Sequence, residues 1–397
     1  MRKTPGFIPS LLIIAAGFGI FLPGCGTNLK SASAVSADRV SPAIFLTGSP
    51  ADPRITDRKF EQVPAVAATS DGKVIYVAWY SGGPAPGPGN YVTVSASLDQ
   101  GKTWLNDQLV VLPKEQSVRF FDPGLWRDKD GKVHLFYGSS KDSMMFDGFG
   151  GVNTVEISWN GSKLTHKQPQ RIADGVMSNK PINLTSKGLS LIPLYIDTPP
   201  VNTKTGVSFP ANGSFILSYD YSKKNSIDVS PYSSIKVPDD IRIHDEPQVV
   251  ELSAKGEFMA MVRTTKGIYF SRSSDYGKTW SPVEPFTAAG PTTSSRFYIG
   301  KLASGNLLLV ANNSTTRNNM TAFLSMDGGR TWPHKLLLDS RENVSYPDAD
   351  QASDGQIHVV FDRDRTGAKD ILYFRFTEEA IVKGNSELVF KTRVNKN

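Results

Sequence analysis

Six times along the chain a short run rich in Val, Ile, Leu, Phe and Tyr meets a glycine turn and is answered by a second such run. The glycines fall at 72, 131, 188, 256, 305 and 355. Segments such as FDPGLWRDKDGKVHLFY (121–137) and YPDADQASDGQIHVVFD (346–362) read as β-hairpins, with glycine supplying the positive φ that a tight turn demands. A lone hairpin of this kind buries neither face. Repeats of roughly 50 residues with several short strands apiece solve that problem by closing into a ring of blades. The expected fold is therefore all-β, a six-bladed β-propeller over residues 56–397.

The chain opens with Arg2 and Lys3, runs through an apolar stretch from Phe7 to Phe21, and reaches Leu22-Pro23-Gly24-Cys25. This reads as an export leader over 1–24, too short and too broken by glycine and proline to be a spanning helix. Its ending resembles a bacterial lipobox. The resemblance implies lipidation of Cys25, a tether over 25–55, and an exported lipoprotein of the outer membrane or cell surface that meets the membrane through its lipid alone. Cys25 is the single cysteine, so no disulfide is expected and packing must stabilise the domain. The net charge of +6 is spread without the Lys/Arg runs of a phosphate-tracking surface, which argues against a nucleic-acid partner. Five scattered histidines lack zinc spacing, so neither metal nor cofactor is expected. The expected state is a monomer.

A second repeat overlies the first: S-x-D-x-G-x-T-W occurs at Ser97–Trp104, Ser273–Trp280 and Ser325–Trp332. Asp accepts backbone N–H groups inside such a turn, glycine takes the left-handed position, and Trp packs the hairpin against its blade. These segments resemble the Asp boxes of the sialidase (neuraminidase) superfamily, the BNR-repeat propellers. That resemblance places them between the third and fourth strands of a blade, far from the active site, and makes Asp99, Asp275 and Asp327 structural.

In a propeller the innermost strand of each blade starts beside the axis, so residues just before those strands converge on one central hollow. In register these are Gln62, Asp122, Lys180, Glu246, Arg296 and Tyr346, and a proline follows within two residues in five of the six. Arg263, Arg317, Arg363 and Arg365 leave the second strands toward the same face, a cation cluster suited to a carboxylate or sulfate.

The family resemblance sharpens here. Glu246-Pro-Gln running on to Val262-Arg263 is similar to the sialidase segment carrying the nucleophile's Glu partner and one arginine of the carboxylate-binding triad. Tyr346-Pro-Asp348 is similar to the segment bearing the nucleophilic tyrosine, and Arg317 matches another triad arginine. The resemblance implies a sialidase-like exo-glycosidase acting on terminal acidic sugars of glycans, with Tyr346, Glu246 and Asp122 catalytic and Arg263, Arg317, Arg296, Gln62 and Lys180 binding substrate. A neutral tyrosine avoids the repulsion that a carboxylate nucleophile would meet from a sugar acid.

Two positions depart from the family pattern. Gln62-Val63-Pro64 stands where a triad arginine belongs, and the first-blade loop from Tyr80 to Tyr91 holds no acid. Asp122 is the first candidate for the general acid, with Asp245 and Asp348 behind it. The alternatives are a related glycosidase on a different sugar and a non-catalytic glycan-binding propeller.

Overall fold

The computed structural model describes residues 43–141, 150–184, 187–197, 206–209, 211–220 and 228–396. Cys25 and the leader lie outside the described residues. Six antiparallel sheets follow one another along the chain as the blades of a six-bladed propeller. All six hairpin glycines take positive φ, from 66° at Gly188 to 93° at Gly256.

Each blade starts at the axis and steps outward. The innermost strands are Phe60–Ala68, Val118–Arg127, Ile182–Leu184, Gln248–Ser253, Tyr298–Lys301 and Val344–Gln351, and each pairs with the strand that follows it. These inner strands touch their neighbours around the ring, and side-chain acids tie one blade to the next. Asp348 Oδ2 accepts from the Val66 amide at 2.8 Å, Asp350 Oδ2 from Ala68 at 2.9 Å, and Asp362 Oδ2 from Val63 at 2.9 Å. The core lies between blades, where sheet faces such as Val66, Val77 and Trp79 meet Val360, Ile371 and Tyr373.

The first and last strands of the described residues both join the propeller. Ala43–Thr47 pairs with Leu105–Pro113 as an added outer strand of the first blade, so the propeller reaches into the stretch read as tether. Phe390–Arg393 pairs with Asp370–Phe376 as the outer strand of the sixth blade. The ring then closes by side-chain contacts. Asn395 Nδ2 bonds Glu61 Oε2, Asn106 Nδ2 donates to the Val394 carbonyl at 2.7 Å, and Trp104 Nε1 reaches Thr392 Oγ1 at 3.2 Å.

The three Asp boxes share one geometry and lie between third and fourth strands. In the first, Asp99 Oδ1 accepts from the Thr103 amide at 2.9 Å and Oδ2 from Thr103 Oγ1 at 2.7 Å, while Ser97 Oγ accepts from the Gly101 amide at 2.8 Å. Asp275 and Asp327 repeat it. Their tryptophans do more than pack within their own blades: each reaches the preceding blade. Trp104 stacks edge-on against Tyr373 at 5.1 Å, Trp280 donates to Ser233 Oγ at 3.2 Å, and Trp332 meets Phe286 edge-on at 6.0 Å.

Candidate active site

Four of the inner strands begin with one backbone device. Val63, Asp122, Glu246 and Tyr346 take φ of 56°, 44°, 44° and 55°, and each directly precedes a proline. Left-handed backbone is uncommon for such residues, and proline usually pushes its predecessor to extended conformations. In the first, second and sixth blades the pairing register shifts across this point, between Gln62 and Ala65, Phe121 and Gly124, and Ser345 and Asp348. A break of this kind re-aims a side chain, and such strain collects at functional sites. In the first blade the equivalent position is Val63, so the aligned residue there is apolar and Gln62 stands one place before it.

Asp122, Glu246, Arg296 and Tyr346 meet in the central hollow. Arg296 joins the first two: Nη2 is 3.1 Å from Asp122 Oδ2 and Nε is 3.6 Å from Glu246 Oε1. Arg263 donates from Nη1 to Glu246 Oε2 at 3.1 Å, and its charge also acts on the Tyr346 phenol. Arg317 Nη2 donates to Tyr346 Oη at 3.3 Å. The Tyr346 ring is ringed by cations, with the guanidinium carbons of Arg365, Arg317 and Arg296 at 4.2, 4.9 and 5.2 Å from its centroid. Arg365 is itself held by Ser345 Oγ at 2.8 Å and Asp362 at 3.5 Å.

This crowding drives the titrating groups apart. Burial pushes the Tyr346 phenol up, but Arg365, Arg317 and Arg263 outweigh it and the net shift is downward. Glu246 moves the same way, since Arg263 and Arg296 overcome its burial. Burial wins at Asp122, whose carboxyl is held above the ordinary range against the pull of Arg296 and with help from the nearby Glu246 charge. One carboxylate shifted down beside one shifted up is the pattern of a base and an acid.

Other sequence candidates lie elsewhere. Lys180 has no left-handed kink, and its ammonium donates to the Val66 and Leu125 carbonyls at 2.6 and 2.8 Å and to Asp348. It borders a cavity of about 520 Å³ at the hairpin-turn end, along with Arg127 and Asp350. Asp348, engaged by Lys180 and the Val66 amide, is a blade tie. Asp245 is buried against Ser214 Oγ at 2.7 Å and Arg242 Nη2 at 2.9 Å. Arg363 pairs with Asp370 at 2.9 Å. Gln62 donates to the Tyr80 hydroxyl, and its Oε1 is buried without a hydrogen-bond donor.

Sequence reading missed Tyr80, Arg119 and the pair of His244 and Asp197. Tyr80 is buried and feels the charges of Asp122, Arg119, Arg365 and Tyr346. His244 Nδ1 lies 2.6 Å from Asp197 Oδ2, which holds its imidazole above the ordinary range beside Glu246 and Asp122. The one signal for Arg119 was a cation inside the apolar run VRFFDPGLW.

Residues 71–359, well over half of the chain, match the BNR repeat-like domain, and the chain belongs to that family. The propeller is that of the sialidase superfamily. Among solved structures it is similar to a Hadza microbial sialidase, at 16% identity and a TM-score of 0.61 over 81% of this chain and 66% of that one. It thus spans just under two thirds of that sialidase's length. A mutant of NanB sialidase from Streptococcus pneumoniae gives 14% and 0.58 over 80% of this chain and 67% of that one. The α-L-arabinanase of Penicillium chrysogenum gives 15% and 0.55, over 85% and 98%. At such identities these likenesses concern the fold. No curated protein sequence matches the chain.

Proposed function

We propose that this propeller is an exo-glycosidase that removes terminal acidic sugars from glycans, with Tyr346 as nucleophile. The observation that carries this reading is the Tyr346 phenol, ringed and depressed by the guanidinium groups of Arg365, Arg317 and Arg263, the last of which is ion-paired with Glu246. Tyr346 Oη attacks the anomeric carbon while the glycosidic C–O bond breaks. Its proton passes to Glu246, and Asp122 gives its own proton to the departing oxygen. Water then attacks the anomeric carbon as the tyrosyl–sugar bond breaks, giving its proton to Asp122, while Glu246 returns its proton to the departing phenolate. Arg317, Arg263 and Arg365 attract the sugar acid, and their cations stabilise charge that develops on the phenolate.

Replacing Tyr346 with Phe tests the reading on a panel of fluorogenic sialosides, uronides and neutral glycosides. Turnover of an acidic glycoside is expected in the parent protein, with kcat falling on the order of a thousandfold or more in the variant. Undiminished turnover by the Phe variant would remove Tyr346 from the mechanism.

One further arrangement supports a second reading, hydrolysis of a different sugar by two carboxylates alone. Asp122 and Glu246 both grip Arg296, which sets them on either side of one guanidinium. In that case the Phe variant keeps its activity on neutral glycosides, and Asp122→Asn loses it.

A further inference from the structure

Like Arg317, Arg119 is a cation of the hollow with no ion-paired carboxylate among the described residues. It lies on the innermost strand of the second blade, is 1% exposed, and stacks over the Phe121 ring at 4.1 Å. Among the described residues no group accepts from its Nε or Nη1, and no acid comes within ion-pair distance. Asp122, the acid whose charge it feels, is committed to Arg296 at 3.1 Å. A buried guanidinium left without a counter-ion is costly, and its unpaired N–H donors are matched by an anion.

The surroundings narrow what would fill the place. Arg119 acts on the Tyr80 hydroxyl, which also receives the amide of Gln62, whose buried Oε1 still lacks a donor. Orphan donors on Arg119 and an orphan acceptor on Gln62 share one tyrosine. A sugar carrying an acid group with a hydroxyl nearby supplies both complements, with the acid on Arg119 and the hydroxyl donating to Gln62.

We infer that Arg119 is an anion-binding residue of the central hollow, taking a carboxylate or sulfate group of a sugar from the side of the first two blades, where Gln62 contributes no charge. The inference shares with the proposed function the premise of an acidic ligand. It does not require turnover.

Calorimetric titration of the full chain with N-acetylneuraminate, glucuronate, sulfate and, as the neutral control, glucose tests it. The parent protein is expected to bind at least one of the anions, and Arg119→Met to weaken that binding by about tenfold or more. Arg119→Lys, which keeps the charge without the fork, is expected to fall between the two. The ligand-free Met variant is expected to melt no earlier than the parent, because an uncompensated buried charge has been replaced by an apolar chain of similar length. Unchanged anion binding in the Met variant, an equal loss toward glucose, or no anion bound by the parent overturns the inference. Anion binding that persists while no glycoside is hydrolysed refutes the proposed activity and leaves Arg119 in its role.

Discussion

Tyr346, Glu246 and Asp122 share a backbone device as well as a pocket. Each sits in left-handed φ ahead of a proline, a conformation that costs about 1–3 kcal/mol and is retained where surrounding structure enforces it. The register of that proline was readable in the sequence, so these three positions could be named from it. Gln62 fell one residue early, because only the bulge shows that Val63 takes the kink. Lys180 was placed in the same ring, but it lacks the kink and its ammonium is bound by Asp348 and the Val66 and Leu125 carbonyls. Arg119 escaped notice because its meaning lies in having no partner, which no spacing reveals.

The opposed shifts at Asp122 and Glu246 set a pH dependence. Glu246 must be ionised to receive the phenolic proton, so activity is lost as pH falls through its depressed value, below the usual 4.5. Asp122 must hold its proton, so activity is lost as pH rises through its elevated value, above the usual 3.8. The expected kcat/KM profile on an acidic glycoside is a bell with an acid optimum. Asp122→Asn is expected to lower the rate on an unactivated substrate and to flatten the alkaline limb. An optimum at alkaline pH, or an unchanged alkaline limb in the Asn variant, assigns the proton donor elsewhere.

At the scale of the element, the Asp box is a turn that fastens two blades. Asp275 accepts the Thr279 amide and hydroxyl at 2.9 and 2.6 Å, and these bonds bring its carboxyl down to about 2. A group depressed in the folded state contributes stability above its unfolded value near 3.8, and the contribution is lost as pH falls toward 2. Asp275→Ala is expected to cost about 1 kcal/mol at neutral pH, read from urea unfolding, with the difference from the parent shrinking in strong acid. Equal stability of the two proteins at neutral pH contradicts this account. The motif itself was legible in full, since its bonds run among eight consecutive residues. The destination of its tryptophan was not. Gly101, for example, leaves no room for a β-carbon because the Tyr373 ring of the sixth blade presses against it.

At the scale of the whole molecule, closing the ring is the decisive event. The last strand and the residues after it tie the sixth blade to the first, with Asn395 Oδ1 accepting the Ile371 amide at 3.0 Å while its amide bonds the buried Glu61 and the Lys369 carbonyl. Asn395→Ala strips a hydrogen bond from a buried carboxylate and is expected to cost about 2 kcal/mol, lowering Tm by a few degrees. A melting curve that matches the parent's would show that the closure rests on other contacts. By itself the sequence determined six hairpins, three Asp boxes and the order of residues at the axis, because these depend on local spacing, turn chemistry and strand alternation. Only the tertiary structure decided which side chains face one another across the hollow. Those partners come from different blades as much as 224 residues apart, from Asp122 to Tyr346, and their charge balance exists only after the ring has closed.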